Sequence, residues 1–332
     1  MTRSHQSDRG RPAGPSDSSS AGGAQPDQVY HSGFACFVGR PNAGKSTLTN
    51  ALVGQQVAIA SDKPQTTRHI VKGIVTTAEA QLIILDTPGL HRPRTLLGQR
   101  LNQLVYDTWA EVDVIGVCLP CTDRIGPGDR YLLSGIAALP RRPKLIGLAT
   151  KLDAVSEVRL AQHLMAIQAV GDEMGLPLAD IVPVSAQTGD NLAEVEAVLL
   201  AALPQGPAYY PDGEVTDEPV ETLVAELIRE VALGLVDDEL PHSIAVVVEE
   251  MNQRPDRPAD RPLLDVFASI IVERESQKPI ILGRGAARLK EIGSVARQRV
   301  AALIGTPVHL DLRVKVVRDW QKDAKALNRL GF

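Results

Sequence analysis

The chain has 332 residues, of which 44% are hydrophobic and 23% charged, a length and composition that suit a soluble protein of about two domains. No apolar run approaches the roughly 18 residues of a membrane-spanning helix and no signal-peptide pattern opens the chain, so a cytoplasmic protein is expected. Three cysteines (Cys36, Cys118, Cys121) form no disulfide framework, and 3% aromatics argue against a row of exposed rings stacking single-stranded bases.

The net charge of −5 conceals an asymmetry: from Ile270 to Phe332 there are thirteen Lys and Arg against six acids, a segment of +7 on a remainder of −12. Attraction to phosphates is local, because charges are largely screened beyond about 8 Å at physiological salt, so a basic module on an acidic chain points to a polyanion partner.

Residues 1–29 are dominated by Ser, Gly and Pro and read as a disordered tail. From 30 to 203 short β-rich runs (Phe34 to Val38, Ile70 to Thr77, Leu82 to Leu85, Val112 to Leu119, Lys144 to Ala149, Ile181 to Val184) alternate with helical patterns. Among the latter are Lys45 to Val53, Val155 to Gly171 and Leu192 to Leu203. Such alternation predicts an α/β domain with a mostly parallel sheet covered on both faces. The Pro-, Gly- and acid-rich stretch 204–219 reads as a linker. Over 220–332 the order is helix (Thr222 to Val236), strands (Ser243 to Val248 and Asp265 to Val272), helix (Ala286 to Ile304), strand (Val308 to Val317) and helix (Trp320 to Leu330), a small α+β domain.

Gly39-Arg40-Pro41-Asn42-Ala43-Gly44-Lys45-Ser46 matches G-x-x-x-x-G-K-[ST] between a strand and a helix, the context that makes the pattern a phosphate loop. Backbone N–H groups and the helix N-terminus face the phosphates, Lys45 neutralises the β and γ groups, and the Ser46 hydroxyl ligates Mg²⁺. Asp86-Thr87-Pro88-Gly89 follows an apolar strand, where the carboxylate can reach Mg²⁺ and the Gly89 N–H the γ-phosphate. Thr150-Lys151-Leu152-Asp153 selects the base: one carboxylate accepts from both N1–H and the N2 amino group of guanine, an adjacent donor pair that adenine lacks. Ser185-Ala186 offers a backbone N–H for guanine O6.

With these motifs in order the chain resembles translation-factor-like GTPases. More narrowly, Gly39 through Thr47-Leu48 and Lys63-Pro64-Gln65-Thr66-Thr67-Arg68-His69 resemble the bacterial Era GTPase family. Glu226-Leu227-Ile228-Arg229-Glu230, Leu240-Pro241-His242-Ser243, Val272 through Lys278 and Pro307-Val308-His309-Leu310 are similar to that family's C-terminal KH domain. The resemblance implies a P-loop NTPase G domain followed by a type II KH domain. It implies a switch that hydrolyses GTP to GDP and phosphate, binds small-subunit ribosomal RNA and assists 30S subunit assembly, as a monomer with weak peripheral membrane contact. An RNA-modification GTPase is the alternative, but it would need a reactive group outside the G domain, where no cysteine lies. A membrane-bound GTPase would need a spanning segment.

The resemblance further assigns the switch hydroxyl on Mg²⁺ to Thr67, with Thr66 competing. Leu90 stands where many GTPases carry a water-orienting glutamine, and Asn42 would help hold a K⁺ ion. Gly283, Arg284, Gly285 and Ala286 would line the RNA path, with Arg288 and Lys290 as phosphate partners. Two departures carry expected costs. Thr150 replaces the usual Asn that ties the base site to the phosphate loop, a loss of about 1 kcal/mol if nothing compensates. Ala286 replaces the last Gly of G-x-x-G, costing about 1 kcal/mol if that position needs positive φ and nothing if it is helical. Cys118-Leu119-Pro120-Cys121 reads as buried thiols rather than a metal or redox pair, and Leu223, Leu227 and Val231 as a core stripe.

Overall fold

The computed structural model describes residues 29–60, 66–90, 93–236, 243–258 and 260–332. The expected tail up to residue 28, residues 63–65 and residues 240–242 lie outside the described residues. In the first domain, strands β1 (His31–Val38), β2 (Val71–Thr76), β3 (Ala80–Asp86), β4 (Val114–Pro120), β5 (Lys144–Thr150) and β6 (Asp180–Val184) form one sheet in the order β2-β3-β1-β4-β5-β6. Only β2 runs antiparallel to its neighbour. The inner strands are apolar on both faces because helices cover both. Helices α1 (Lys45–Val53) and α5 (Leu192–Ala202) bury Leu48, Leu52, Val195 and Leu199 against one face. Helices α2 (Leu96–Glu111), α3 (Pro127–Ala137) and α4 (Glu157–Glu173) bury Val105, Trp109, Leu133, Ile136 and Ile167 against the other. The phosphate loop, Asp86, Thr150 and Ser185 all follow the C-terminal ends of strands in this sheet, so the topology gathers them at one edge of the domain.

The stretch 204–219, read above as a linker, is strapped to the first domain. The Ser32 hydroxyl donates to the Pro207 carbonyl at 2.6 Å, and the buried Gln81 amide oxygen accepts from the N–H groups of Tyr209 and Tyr210. Ile74 N–H donates to Val215, and Lys72 pairs with Asp217 at 2.6 Å. Its composition signalled a linker; buried partners on β1, β2 and β3 hold it down.

The second domain contains α6 (Val220–Leu235), β7 (Ala245–Gln253), β8 (Leu264–Val272), α7 (Lys278–Leu282), α8 (Ala287–Ile304), β9 (Val308–Val316) and α9 (Ala324–Arg329). β8 pairs antiparallel with β7 and parallel with β9, and α6 and α8 cover one face with Val224, Ile228, Ile292, Ala296 and Val300. Two sequence expectations need correction. Five-residue α7 was too short to show a helical period, and the helix expected over Trp320 to Leu330 breaks at Asp323 (φ −99°, ψ 114°), whose carboxylate caps the Lys325 N–H at 2.8 Å. The opposite sheet face, through Ala245 and Ile271, packs with Trp320 and Leu327 against Leu97 and Leu101 of α2, joining the two domains.

Candidate nucleotide site and basic groove

The loop Gly39–Gly44 leaves β1 and turns with Asn42 (φ 62°) and Gly44 (φ 89°) in the left-handed region just before α1 begins. At Gly39 a Cβ would lie 2.7 Å from the Cys118 carbonyl oxygen and 2.9 Å from Ala43 Cβ, so no larger residue fits there without a backbone shift. The buried Lys45 ammonium donates to the Gly39 and Arg40 carbonyls at 3.1 and 3.2 Å, and burial lowers its pKa. An ammonium held inside the loop is placed for an anion seated on the loop's N–H groups. The Arg40 side chain takes no part in that cradle. Its guanidinium donates to Asp129 (2.8 Å) and Asp123 (3.2 Å), clamping the loop to the start of α3, so Arg40 contributes backbone only.

Ser46, Thr67 and Asp86 converge. The Ser46 hydroxyl donates to Asp86 Oδ2 at 2.7 Å, the Thr67 hydroxyl donates to the same oxygen at 3.2 Å, and the two hydroxyls lie 3.3 Å apart. Asp86 is fully buried, burial raises its pKa to about 6, and its second oxygen has no partner among the described residues. A carboxylate with a spare buried oxygen beside two hydroxyls is an all-oxygen donor set suited to a hard divalent cation. Of the two candidate hydroxyls, that of Thr67 enters this cluster, while the Thr66 carbonyl accepts from Arg229 of α6. Gly89 follows Thr87 and Pro88 and lies over the loop, where a Cβ would sit 3.8 Å from Lys45 Nζ and from Pro41. Leu90 packs into the α2–α3 core cluster and brings no polar group to the site.

At the base end, the cost expected from Thr150 does not arise. Its hydroxyl donates to the Ala43 carbonyl at 2.8 Å in a buried contact, making the tie to the phosphate loop that an amide was expected to supply. Lys151 adopts φ 59°, ψ 42°, an uncommon conformation for a non-glycine residue and one that turns the chain sharply between β5 and Leu152-Asp153. The Asp153 carboxylate accepts from the Ser185 hydroxyl at 2.5 Å, and that hydroxyl accepts from the Thr188 N–H at 3.2 Å. The Ser185 N–H donates to the Asp190 carbonyl, so the backbone donor for a base oxygen falls to Ala186. The Ser185 side chain as an orienting group was legible only as a short polar residue after β6.

In the second domain, Gly283 (φ 70°), Gly285 (φ 59°) and Ala286 (φ 61°) form the turn between α7 and α8. Ala286 thus needs the left-handed conformation, the costly branch of the two considered. Beside the turn lies a cavity of about 410 Å³ whose floor is Leu289, Gly293, Leu310 and Leu312 and whose rim carries Lys290, Ser294 and Arg297. Arg284 and Lys290 are exposed there. Arg288, the other expected phosphate partner, lies half-buried against the turn. Its guanidinium donates to the Ile280 carbonyl at 2.8 Å, and a Cβ on Gly283 would lie 2.8 Å from its own, so Arg288 braces the turn from behind. Leu227 and Val231 join the core as expected, whereas Leu223 is half-buried where α6 meets Val57 and Ile59 of the first domain. The three thiols are free and buried, and burial raises the pKa of each, to about 12 for Cys118 and about 11 for Cys121.

Residues 34–151 match the family model described as 50S ribosome-binding GTPase, and residues 239–321 match the KH domain model. GTPase Era of Streptomyces coelicolor is 59% identical over 306 residues, covering 92% of this chain and 96% of that protein. The chain belongs to the Era GTPase family. GTPase Era of Mycolicibacterium smegmatis is likewise 59% identical over 303 residues, covering 91% of this chain and 99% of that one. Among solved structures, Era in complex with MgGDPNP and nucleotides 1506–1542 of 16S ribosomal RNA matches with a TM-score of 0.85 at 37% identity. A point variant of Aquifex aeolicus Era bound to GDP·AlF4⁻ matches with 0.84 at 37%, and each alignment covers 91% of this chain and 99% of the other. No helix among the described residues is long and apolar enough to cross a membrane.

Proposed function

We propose that the chain is a GTP-hydrolysing switch of the cytoplasm that binds small-subunit ribosomal RNA through its second domain and assists 30S subunit assembly, acting as a monomer. The observation that carries this reading is a nucleotide site complete at one sheet edge and a basic, apolar-floored groove beside a G-x-x-A turn, on a chain similar along nearly its whole length to an Era structure holding MgGDPNP and 16S rRNA.

GTP would lie with its phosphates on the Gly39–Gly44 N–H groups and its base against Asp153 and the Ala186 N–H. Lys45 would offset charge on the β and γ oxygens, where negative charge concentrates during transfer. Ser46, Thr67 and Asp86 would hold Mg²⁺, whose charge would help neutralise the phosphate oxygens. Leu90 cannot orient the attacking water, so turnover should be slow unless other groups assist. Asn42 is our candidate for holding K⁺ near the phosphates, a role tested by replacing K⁺ with Na⁺ at matched ionic strength. The RNA-modification alternative gains nothing here, since all three thiols are buried in the first domain with raised pKa.

In RNA the strand would run past Gly283–Ala286 and Lys290, with bases over the Leu289 and Leu312 floor. That mode relies on backbone clamping and cations rather than on exposed rings. The test is binding of a 3′-terminal 16S rRNA fragment by the full chain. Arg284→Asp with Gly285→Asp should abolish it while GTP affinity stays unchanged, and removing Lys290 should flatten the log–log salt slope by roughly 0.7. Wild-type RNA binding by the double variant would overturn the assignment of the groove.

A further inference from the structure

Two buried arginines are exchanged across the domain boundary, one on each side of Thr67. Arg68, 2% exposed, leaves the first domain: its guanidinium donates to the Ile244 carbonyl at 2.7 Å and lies 5.6 Å from the centre of the Trp320 ring. Arg229, 1% exposed, comes the other way from α6 and donates to the Thr66 carbonyl. Its Nε and Nη2 are also bound by Glu226, one turn earlier, at 2.9 and 2.7 Å. His69 then stacks on Phe332 with ring centroids 4.8 Å apart. Thr67 is thus flanked by residues that the second domain holds, and its own hydroxyl is the group that points back to Asp86.

A buried ion pair is weak evidence of stabilisation, because desolvation offsets much of the attraction. Helix α6 also has an ample apolar face without Arg229, through Val224, Leu227, Ile228 and Val231. What an apolar residue at 229 could not supply is a donor for the Thr66 carbonyl. A planar guanidinium can meet a carboxylate and a second acceptor together, so Glu226 aims the fork and the carbonyl takes a free N–H.

We propose that Arg229 is a positioning residue for the nucleotide reaction: by gripping the Thr66 carbonyl from the second domain, it sets Thr67 so that the hydroxyl reaches the cation site. This rests on the reading of Thr67 as a Mg²⁺ ligand given above. Because GTPase switch segments are ordered through γ-phosphate and Mg²⁺ contacts, the grip should bear on the triphosphate state and not on the Asp153 and phosphate-loop contacts that GDP also makes.

The test is the affinity of the full chain for a non-hydrolysable, fluorescent GTP analogue and for its GDP counterpart across a Mg²⁺ titration. Wild type is compared with Arg229→Met, Arg229→Lys, Thr67→Ala and the Arg229→Met, Thr67→Ala double variant. In Arg229→Met the Mg²⁺ concentration that half-saturates the tightening of the GTP analogue should rise about tenfold or more, the scale of one charge-assisted hydrogen bond, with GDP affinity unchanged. Thr67→Ala should shift it at least as far, the double variant should add nothing, and Arg229→Lys should recover part of the loss. If Arg229→Met does not fold, Arg229→Gln, too short to span from α6 to Thr66, carries the same comparison. A wild-type Mg²⁺ dependence in the Arg229 variant, or effects that add to those of Thr67→Ala, overturns the proposal. A wild-type dependence in Thr67→Ala removes Thr67 as a ligand and takes the proposal with it, a failure distinct from that of Arg229 alone.

Discussion

Ala286 sits at φ 61°, ψ 21°, immediately before α8, where most sequences of this loop type would carry glycine. A Cβ in the left-handed region clashes with the following carbonyl oxygen at a cost of about 1–2 kcal/mol, and Ala286→Gly removes it. Glycine is freer in the unfolded chain, which returns about 0.4–1 kcal/mol of the gain. The side chain is exposed, so little buried surface is lost, and glycine is also the better residue at a helix N-cap. The net expectation is a stabilisation of about 0.5–1 kcal/mol. With a urea dependence of about 2 kcal/mol per molar, the midpoint of second-domain unfolding should rise by about 0.3–0.5 M. The chain has two tryptophans, Trp109 in α2 and Trp320 in the second domain, so a Trp109→Phe background makes fluorescence report the second domain through Trp320. The natural control is Gly285→Ala. Gly285 has φ 59° with nothing within 4 Å of an added Cβ, so the same clash should appear with the opposite sign and no packing term. An unchanged or lowered midpoint in Ala286→Gly, or a neutral Gly285→Ala, would refute the backbone argument.

Thr150→Val deletes the hydroxyl that donates to Ala43 and leaves that buried carbonyl unpaired, so nucleotide affinity should fall by about tenfold, within the 1–3 kcal/mol of an unmet buried acceptor, while Thr150→Ser should stay near wild type in equilibrium binding. Asp153→Asn places an amide N–H₂ against guanine's donors and should shift preference from guanine to xanthine nucleotides in competition binding; retained guanine preference would remove Asp153 from the base site. Glu226 is pushed up by burial, but the Arg229 guanidinium beside it wins and holds its pKa below the ordinary 4.5. A carboxylate depressed on folding contributes stability above its unfolded pKa and loses it as pH falls through the folded value, so Glu226→Gln should show a shallower acid loss below pH 4.5 than wild type in denaturant melts. Parallel acid limbs would show that the Arg229 contact does not govern Glu226.

What the sequence determined by itself was the part of this protein written in short-range pattern. Gly39 and Gly44 with Lys45 and Ser46, between an apolar strand and a helix, make a loop suited to close around an anion, and Asp86, Asp153 and Ser185 stand at or after strand ends that the sheet brings to one edge. Period and composition likewise located α1, α6, α8 and every strand. Tertiary structure decided which atom of each motif does the work, because that depends on partners far away in the chain. Thr150 serves in place of an amide since Ala43, 107 residues earlier, presents its carbonyl within 2.8 Å. The Arg40 guanidinium reaches Asp129, 89 residues later, because packing brings the start of α3 beside the loop. The Thr67 hydroxyl reaches Asp86 while an arginine 163 residues downstream holds the Thr66 carbonyl, a contact no local pattern announces. Local spacing carries no information about such contacts: some form only when the strands and helices of one domain pack together, and the Arg229–Thr66 contact only where the two domains meet.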